Sequence, residues 1–447
     1  MKKLLALLLA LLMVLSLAAC GEEEEEETGS RRKKKDTETT SDTTEITEEV
    51  EEEEEEEEKE KDEKEDKKNT KSPYSVFEEL DTEILDIDEA TVTMGEFSID
   101  KRGNPSCTVE VENHTNGKLH VFPSAIAING KIVEEYFTVD AAAKDTTSYD
   151  FVIYDAVEDP DEITRLSLYL NVLDADYSGE AYLIDIYPQG QDAYKENMPK
   201  RSGDVLLDKK GVYAAANKIT YPDNSQPLVW YVAFNDTDEV LDLNLNTVAI
   251  NGFGVEDYHG NTILPGTYIE DYFELYSHEQ LVQLGMEANK LTAITVDATA
   301  WNDSYQTVAE NEVTIYPDGK DNAEDFVYTP DKNDVVVAET KDFKLIQISC
   351  EQTEWNDTYI MFVLENKSGK TFTVSGEDAK LNGKDADLFF FFDSVDGRSC
   401  FSTIDIFESD LKELGISEIT SLEMDLNVYD SNYKDLFDDT VKFNVTK

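Results

Sequence analysis

Histidine and cysteine are scarce in this chain, four of each in 447 residues, and basic residues are outnumbered, 39 Lys and Arg against 99 Asp and Glu. Each shortage removes a class of function. A formal net charge of −60 excludes nucleic-acid binding by electrostatics, because phosphate affinity rests on Lys and Arg neutralising the backbone. His114, His120, His259 and His278 form no His-x-x-x-His pair, and His278-Glu279 is followed by Val282 where a zinc-protease helix needs its second His. There is no Gly-x-Ser-x-Gly elbow and no phosphate-cradling glycine loop, so no catalytic, cofactor-binding or metal residue is assigned and no enzyme is expected. Acidic pairs such as Asp155 with Glu158 are the ordinary result of so many carboxylates. Apart from Cys20, the thiols are Cys107, Cys350 and Cys400, without repeat-equivalent placement. A Cys350 to Cys400 bridge and reduced, half-buried thiols are both compatible with that spacing.

One apolar run stands out. Leu4 to Ala19 follows Lys2 and Lys3, and a basic flank before a short hydrophobic stretch is what the secretion machinery reads. The run falls short of the roughly 20 apolar residues of a spanning helix, so residues 1–19 are expected to be a signal peptide. Residues 20–72 then carry Glu22 to Glu27, the basic cluster Arg31 to Lys35, a Ser/Thr stretch and Glu51 to Glu58. A segment so poor in apolar side chains cannot offset its ordering entropy, and it reads as a disordered acidic tether. Fully stretched, it would reach on the order of 170 Å. The acidity continues beyond it, since residues 73–447 keep −48 of the −60. With 22 Tyr and 20 Phe in the chain, the body has the apolar content for cores.

A threefold repeat organises that body. Val111-Glu112-Asn113, Ala233-Phe234-Asn235 and Leu364-Glu365-Asn366 are each followed, fifteen residues after the Asn, by Ile128-Asn129-Gly130, Ile250-Asn251-Gly252 and Leu381-Asn382-Gly383. Alternating apolar runs begin at Leu166, Ile294 and Leu422, 128 residues apart in both steps, and Tyr177, Tyr305 and Tyr433 lie eleven residues after those starts. Alternation with period two marks strands. In the first copy they are expected at Thr91 to Ile99, Thr108 to Glu112, His120 to Ile128, Lys131 to Phe137, Ser148 to Tyr154, Arg165 to Val172 and Ala181 to Tyr187. Seven short strands in about a hundred residues fit an immunoglobulin-like sandwich. The expected fold is therefore all-β, with β-sandwiches at 73–190, 204–319 and 334–447 joined by polar linkers, Gln189 to Gly203 and Asp318 to Asn333. Each Asn-Gly suits a tight hairpin. A helical turn is expected at Leu281 and at Leu411, with Ser277 or Ser409 as N-cap, Gln280 completing a capping box, and Gly285 or Gly415 past the C-terminus.

Three further motifs have a bland and a sharp reading. Asn113, Asn235 and Asn366 each stand in Asn-x-Ser/Thr, the glycosylation acceptor, but an Asn closing an Asx-turn after a strand explains them better. Asp174, Asp176 and Ser178 with Asp185 at the twelfth position partly match a calcium loop. The loop lies between strands and lacks the bidentate Glu, so a hairpin turn is preferred. In Leu388 to Phe392 alternate Phe side chains should leave the core unless a bulge or covering loop intervenes, which makes the run a candidate contact surface, with plain burial the preferred reading.

The end of the leader, Leu17-Ala18-Ala19-Cys20, resembles the lipobox of bacterial lipoproteins, in which the Cys thiol receives diacylglycerol. Together with the three repeats from about Thr91 onward, it is similar to surface lipoproteins of Gram-positive bacteria that carry tandem immunoglobulin-like domains. That resemblance implies a mature protein starting at lipid-bearing Cys20, held on the outer face of the cytoplasmic membrane and extending into the cell wall or beyond. It also implies a non-enzymatic binding or scaffolding role toward a cell-wall or envelope-protein partner. The alternatives are a solute-binding lipoprotein of a transporter, which usually needs two α/β lobes, and a cell-envelope hydrolase.

Overall fold

The alternating runs become strands because every second side chain can enter one core. This computed structural model describes residues 74–78, 80–222, 226–352, 357–394 and 397–445. The signal sequence, the tether and Cys20 lie outside the described residues. Module 1 is built from β1 (Tyr74–Phe77), β2 (Thr82–Asp86), β3 (Ala90–Met94), β4 (Ser98–Ile99), β5 (Pro105–Asn113), β6 (Leu119–Ile128), β7 (Lys131–Val133), β8 (Val139–Ala141), β9 (Thr146–Val152), β10 (Leu166–Asp174) and β11 (Gly179–Ile186). One sheet pairs β2-β3-β5-β9 and the other β11-β10-β6, with β7 and β8 both on β6. This is the two-sheet pairing of an immunoglobulin-like sandwich. Val92, Val109, Val111, Val121, Leu168 and Ile184 meet between the sheets.

Module 2 repeats the plan with β12 (Asp204–Lys209), β13 (Val212–Thr220), β14 (Leu228–Asn235), β15 (Leu241–Ile250), β16 (Phe253–Asp257), β17 (Gly260–Ile263), β18 (Thr267–Glu274), α1 (Ser277–Gln283), β19 (Ile294–Asn302) and β20 (Thr307–Ile315). Module 3 follows with β21 (Val335–Glu339), β22 (Phe343–Gln352), β23 (Thr358–Asn366), β24 (Phe372–Leu381), β25 (Lys384–Asp385), β26 (Phe390–Ser394), β27 (Cys400–Ile406), α2 (Glu408–Leu414), β28 (Ser421–Asp430) and β29 (Asp435–Asn444). All seven strands expected in module 1 are present, two of them shortened or broken. The structure adds β1, β2 and β8. β2 escaped the pattern because a bulge between Glu83 and Leu85 puts Ile84 and Leu85 side by side in the core, and β8 has only three residues.

Asparagine fixes the same two points in every module. Asn129, Asn251 and Asn382 adopt left-handed φ of 52°, 47° and 52° at the hairpin. Each side-chain oxygen accepts both the backbone N–H and the hydroxyl of Thr164, Thr292 or Thr420, and the following N–H as well. The turn is thereby stapled to the start of β10, β19 or β28. Replacing buried Asn251 with Ala strands those donors. Urea unfolding is expected to show a loss of about 2–3 kcal/mol, and less for exposed Asn382→Ala.

Modules meet edge to edge. β7 pairs in parallel with β18, Lys131 opposite Tyr268, and fuses sheets of modules 1 and 2 into one of ten strands. β16 pairs in parallel with β27, Gly254 opposite Cys400, giving a nine-stranded sheet of modules 2 and 3. The register is the same at both junctions: the repeat maps Lys131 and Tyr268 onto Phe253 and Ser399, the neighbours of Gly254 and Cys400. Tyr268 N–H donates to the Gly130 carbonyl at 2.9 Å and Gly254 N–H to that of Ser399 at 2.7 Å. At the first junction Arg165 makes a bidentate pair with Asp185 at 3.2 and 3.0 Å and reaches the Gly266 and Pro265 carbonyls at 3.2 and 3.3 Å. Tyr194 of the linker lies under the guanidinium. At the second, Met361 and Val363 of β23 join the core of module 2, where Phe326 and Tyr328 from the linker also pack. The linkers, expected as polar spacers, are thus laid onto the modules, and the described residues between 74 and 445 belong to one compact unit.

The outer sheet faces are graded accordingly. Tyr213, Ala215, Val232 and Phe234 are buried on the outer face of β13-β14, under Met198 and Arg201 of the linker. Their equivalents in module 1 are Thr91, Thr93, Glu110 and Glu112, a polar face of the kind that caps a stacked array. A Cβ added to Gly254 would lie 2.9 Å from the Cβ of Cys400 and 3.3 Å from the Ser399 carbonyl oxygen. Gly254→Val is therefore expected to part the second junction, seen as faster hydrogen exchange in β16 and β27 and new cleavage between residues 318 and 333, while the core of module 1 stays protected.

Candidate functional site

The motifs singled out in the sequence resolve into structural roles. Asn113, Asn235 and Asn366 close Asx-turns: each amide donates to the carbonyl of Gly117, Glu239 or Lys370 and to a second acceptor across the module. Asp174 accepts the N–H groups of Asp176 and Ser178 in a hairpin tip, while Asp185 sits at the far end of β11 with Arg165, so the calcium-like set does not converge. Cys350 and Cys400 lie on strands that flank β23, opposite Ile360 and Leu364. The bridge is not formed; Cys400 is a buried thiol near the Asp393 carbonyl, and burial pushes its pKa up to about 12. Two capping assignments are corrected. Ser277 is the first residue of α1 and donates through N–H and hydroxyl to Asp257, and Ser409 lies inside α2, whose cap is Phe407. Buried Asp257 offered the helix a stronger acceptor than Ser277 could supply. Gly415 does take the left-handed position, φ 61°. Of the Phe run, Phe390 and Phe392 face the core and Phe389 and Phe391 face water.

Exposed aromatic residues recur at equivalent positions of the modules, some with partners of their own: the Tyr258 hydroxyl donates to Asn244, Tyr177 stacks on His120 and Tyr433 on Tyr429. Tyr136, Tyr258 and Phe389 each stand seven residues after the hairpin Asn. Tyr154, Tyr276 and Phe407 each stand ten residues after Lys144, Gly266 and Gly397, which share a positive φ. Tyr177, Tyr305 and Tyr433 sit at the tips joining the last two strands, with φ of 60°, 56° and 57°, where Gly or Asn is the ordinary choice. These nine are the most exposed aromatic side chains among the described residues, between 52 and 84 % accessible. Only the third set showed in the sequence as a repeat; the other two emerge once the strands are aligned.

In module 1 two of the sets are brought together. Glu135, next to Tyr136, accepts the N–H of Tyr154 at 2.6 Å and of Asp155 at 3.2 Å. Asp257, next to Tyr258, does the same for Ser277 beside Tyr276. Tyr136 and Tyr154, joined by Tyr149, line an open groove of about 900 Å³ at the first junction. The strand β7, Tyr268 and Glu270 of module 2, and Lys195 and Asn197 of the linker also line it. Lys131 and Glu270 close across the junction at 2.9 Å. The carboxylates Glu134, Glu135, Asp150, Asp155 and Glu270 outnumber Lys131 and Lys195, so the groove repels anions.

No family model matches the chain, and no curated protein does. Among solved structures it is similar to a region of a 1.5-MDa bacterial ice-binding adhesin, at 14% identity over 77% of this chain and 90% of that one, TM-score 0.15. The FN1-FN3 domains of chicken CNTN1 give 9% identity over 79% and 99%, TM-score 0.15, and the BSP domain of a biofilm-associated protein 9% over 80% and 81%, TM-score 0.14. Likenesses of this size do not bear on what the chain binds.

Burial raises the carboxyl of Asp257 from 3.8 to about 6, and its bonds from Ser277 only partly oppose the shift. The folded state therefore holds this proton more tightly than the unfolded chain, so stability is lost as pH rises from about 4 through 6. Relative to Asp257→Asn, the unchanged protein is expected to lose about 2–3 kcal/mol between pH 4 and pH 7 in urea unfolding.

Proposed function

We propose that the chain is a bacterial envelope protein that binds or scaffolds without chemistry, held by a lipid on Cys20, with residues 20–72 as tether and the sandwiches at 73–190, 204–319 and 334–447 as one stiff extension. The observation that carries this reading is the fusion of neighbouring sheets in equal register at both junctions, which sets three modules in a repeating orientation and presents the same aromatic positions from each. An array of that kind suits a spacer or a multivalent binder. Two of the four histidines support it by having structural partners: His120 contacts Asp140 at 2.7 Å, and His259 sits among Asp271, Tyr231 and Asn261. An all-β body speaks against the solute-binding alternative with its two α/β lobes.

The anchor is tested in cells of a Gram-positive host. Labelled palmitate is expected to enter the protein, and Cys20→Ser is expected to abolish the label and release the chain from the membrane fraction. Retention of the variant on membranes contradicts the anchor. Sedimentation of the purified chain with isolated envelopes tests binding, with loss of co-sedimentation in all conditions as the contrary result.

A further inference from the structure

The groove between modules 1 and 2 is lined partly by the junction itself, and it also gathers three exposed tyrosines, Tyr136, Tyr149 and Tyr154, that the junction does not use. We propose that it binds a neutral polysaccharide, with Tyr136 and Tyr154 as stacking platforms. This rests on the binding reading above and names its ligand class.

Four observations select that class. The volume, about 900 Å³, lies at the upper end of the roughly 300–1,000 Å³ typical of ligand sites, and the groove opens to solvent rather than being enclosed, which suits part of a longer ligand. The tyrosines stand 74, 56 and 40 % exposed at Tyr136, Tyr154 and Tyr149; an aromatic ring beside carboxylates and an amide matches a sugar, which has an apolar C–H face rimmed by hydroxyls. The excess of carboxylates turns away phosphate- and uronate-bearing polymers. A protein partner would call for a contact centre depleted of charge, and here Glu134, Glu135 and Asp155 sit among the rings. The fourth observation is repetition. Tyr258 with Tyr276 and Phe389 with Phe407 hold the equivalent positions in modules 2 and 3, so a ligand that itself repeats could engage the array at several points and gain avidity without a tight single site.

Glu135 positions the pair, since its carboxylate holds the backbone of Tyr154 and Asp155 beside Tyr136. Both tyrosines point into solvent, so their removal leaves no cavity.

The test is affinity electrophoresis of the purified full chain through native gels containing a neutral glucan, a mannan or soluble N-acetylglucosamine oligomers, with hyaluronan as the anionic control. Retardation by at least one neutral glycan and none by hyaluronan is expected, with affinity reduced about tenfold in Tyr136→Ala/Tyr154→Ala. An unchanged far-UV spectrum and melting midpoint confirm that the variant is folded. Glu135→Gln, which keeps an acceptor, is expected to retain binding. If no neutral glycan slows the chain, or the folded double variant is slowed as much as the parent, the proposal is overturned. Envelope co-sedimentation separates the two readings: a chain that still sediments with envelopes while ignoring every glycan refutes the groove alone, and one that does neither refutes binding altogether. Retardation by hyaluronan equal to that by the neutral polymers would also refute the proposed class.

Discussion

A sheet edge is a row of unsatisfied N–H and C=O groups, and everything distinctive about this body follows from where those edges are placed. Each sandwich has a short strand after its Asn-Gly turn that could be left open to water or to another chain. In modules 1 and 2 that strand, β7 or β16, is instead closed by parallel pairing with the next module. One backbone contact satisfies two edges and also sets the angle between modules, which side-chain packing alone would leave adjustable. The Arg165–Asp185 pair illustrates what that arrangement permits. Taking two charges out of water is costly unless every hydrogen-bond position is filled, and here the guanidinium is filled by the Asp185 carboxylate, the Pro265 and Gly266 carbonyls and the face of Tyr194. Those partners come from two modules and a linker, so the pair is complete only when the junction is formed.

The strands and their threefold plan were legible because period-two alternation and fixed-distance Asn motifs are local signals. Thr91 through Val172 appear in the structure nearly as the pattern implies. What stayed hidden depends on tertiary placement. β2 is irregular at its bulge, and the cap of α1 is supplied by Asp257, twenty residues before Ser277 in the chain. The parallel junction pairs involve one or two residues each, too few for any pattern. The linkers read as polar because Tyr194, Met198, Arg201, Phe326 and Tyr328 are scattered among charges, yet those are the residues that dock. For the candidate groove, Tyr136 and Tyr154 were visible only as aromatics inside expected strands; that they lie beyond the strand ends and face water required the fold. The Phe run was the exception, since alternation alone separated Phe389 and Phe391 from Phe390 and Phe392.

Charge distribution completes the picture. The body carries −48, and at physiological ionic strength fields decay over about 8 Å, so neighbouring copies repel at short range and non-specific association is suppressed. The polar outer face of Thr91, Thr93, Glu110 and Glu112 works in the same direction, by refusing the kind of contact that Tyr213 and Phe234 make with their linker. Against that acidic surface the recurring aromatic residues are the apolar features left exposed.

The central claim is that equal-register sheet fusion makes modules 1 to 3 one stiff body. It is tested most directly by pulsed electron–electron resonance between spin labels at Lys101 in module 1 and Asp438 in module 3 of the full chain. A single narrow distance distribution, unchanged between low and high salt, is the predicted result. A broad or multi-peaked distribution, or one that shifts as salt screens the acidic surface, would show hinged modules and contradict the account.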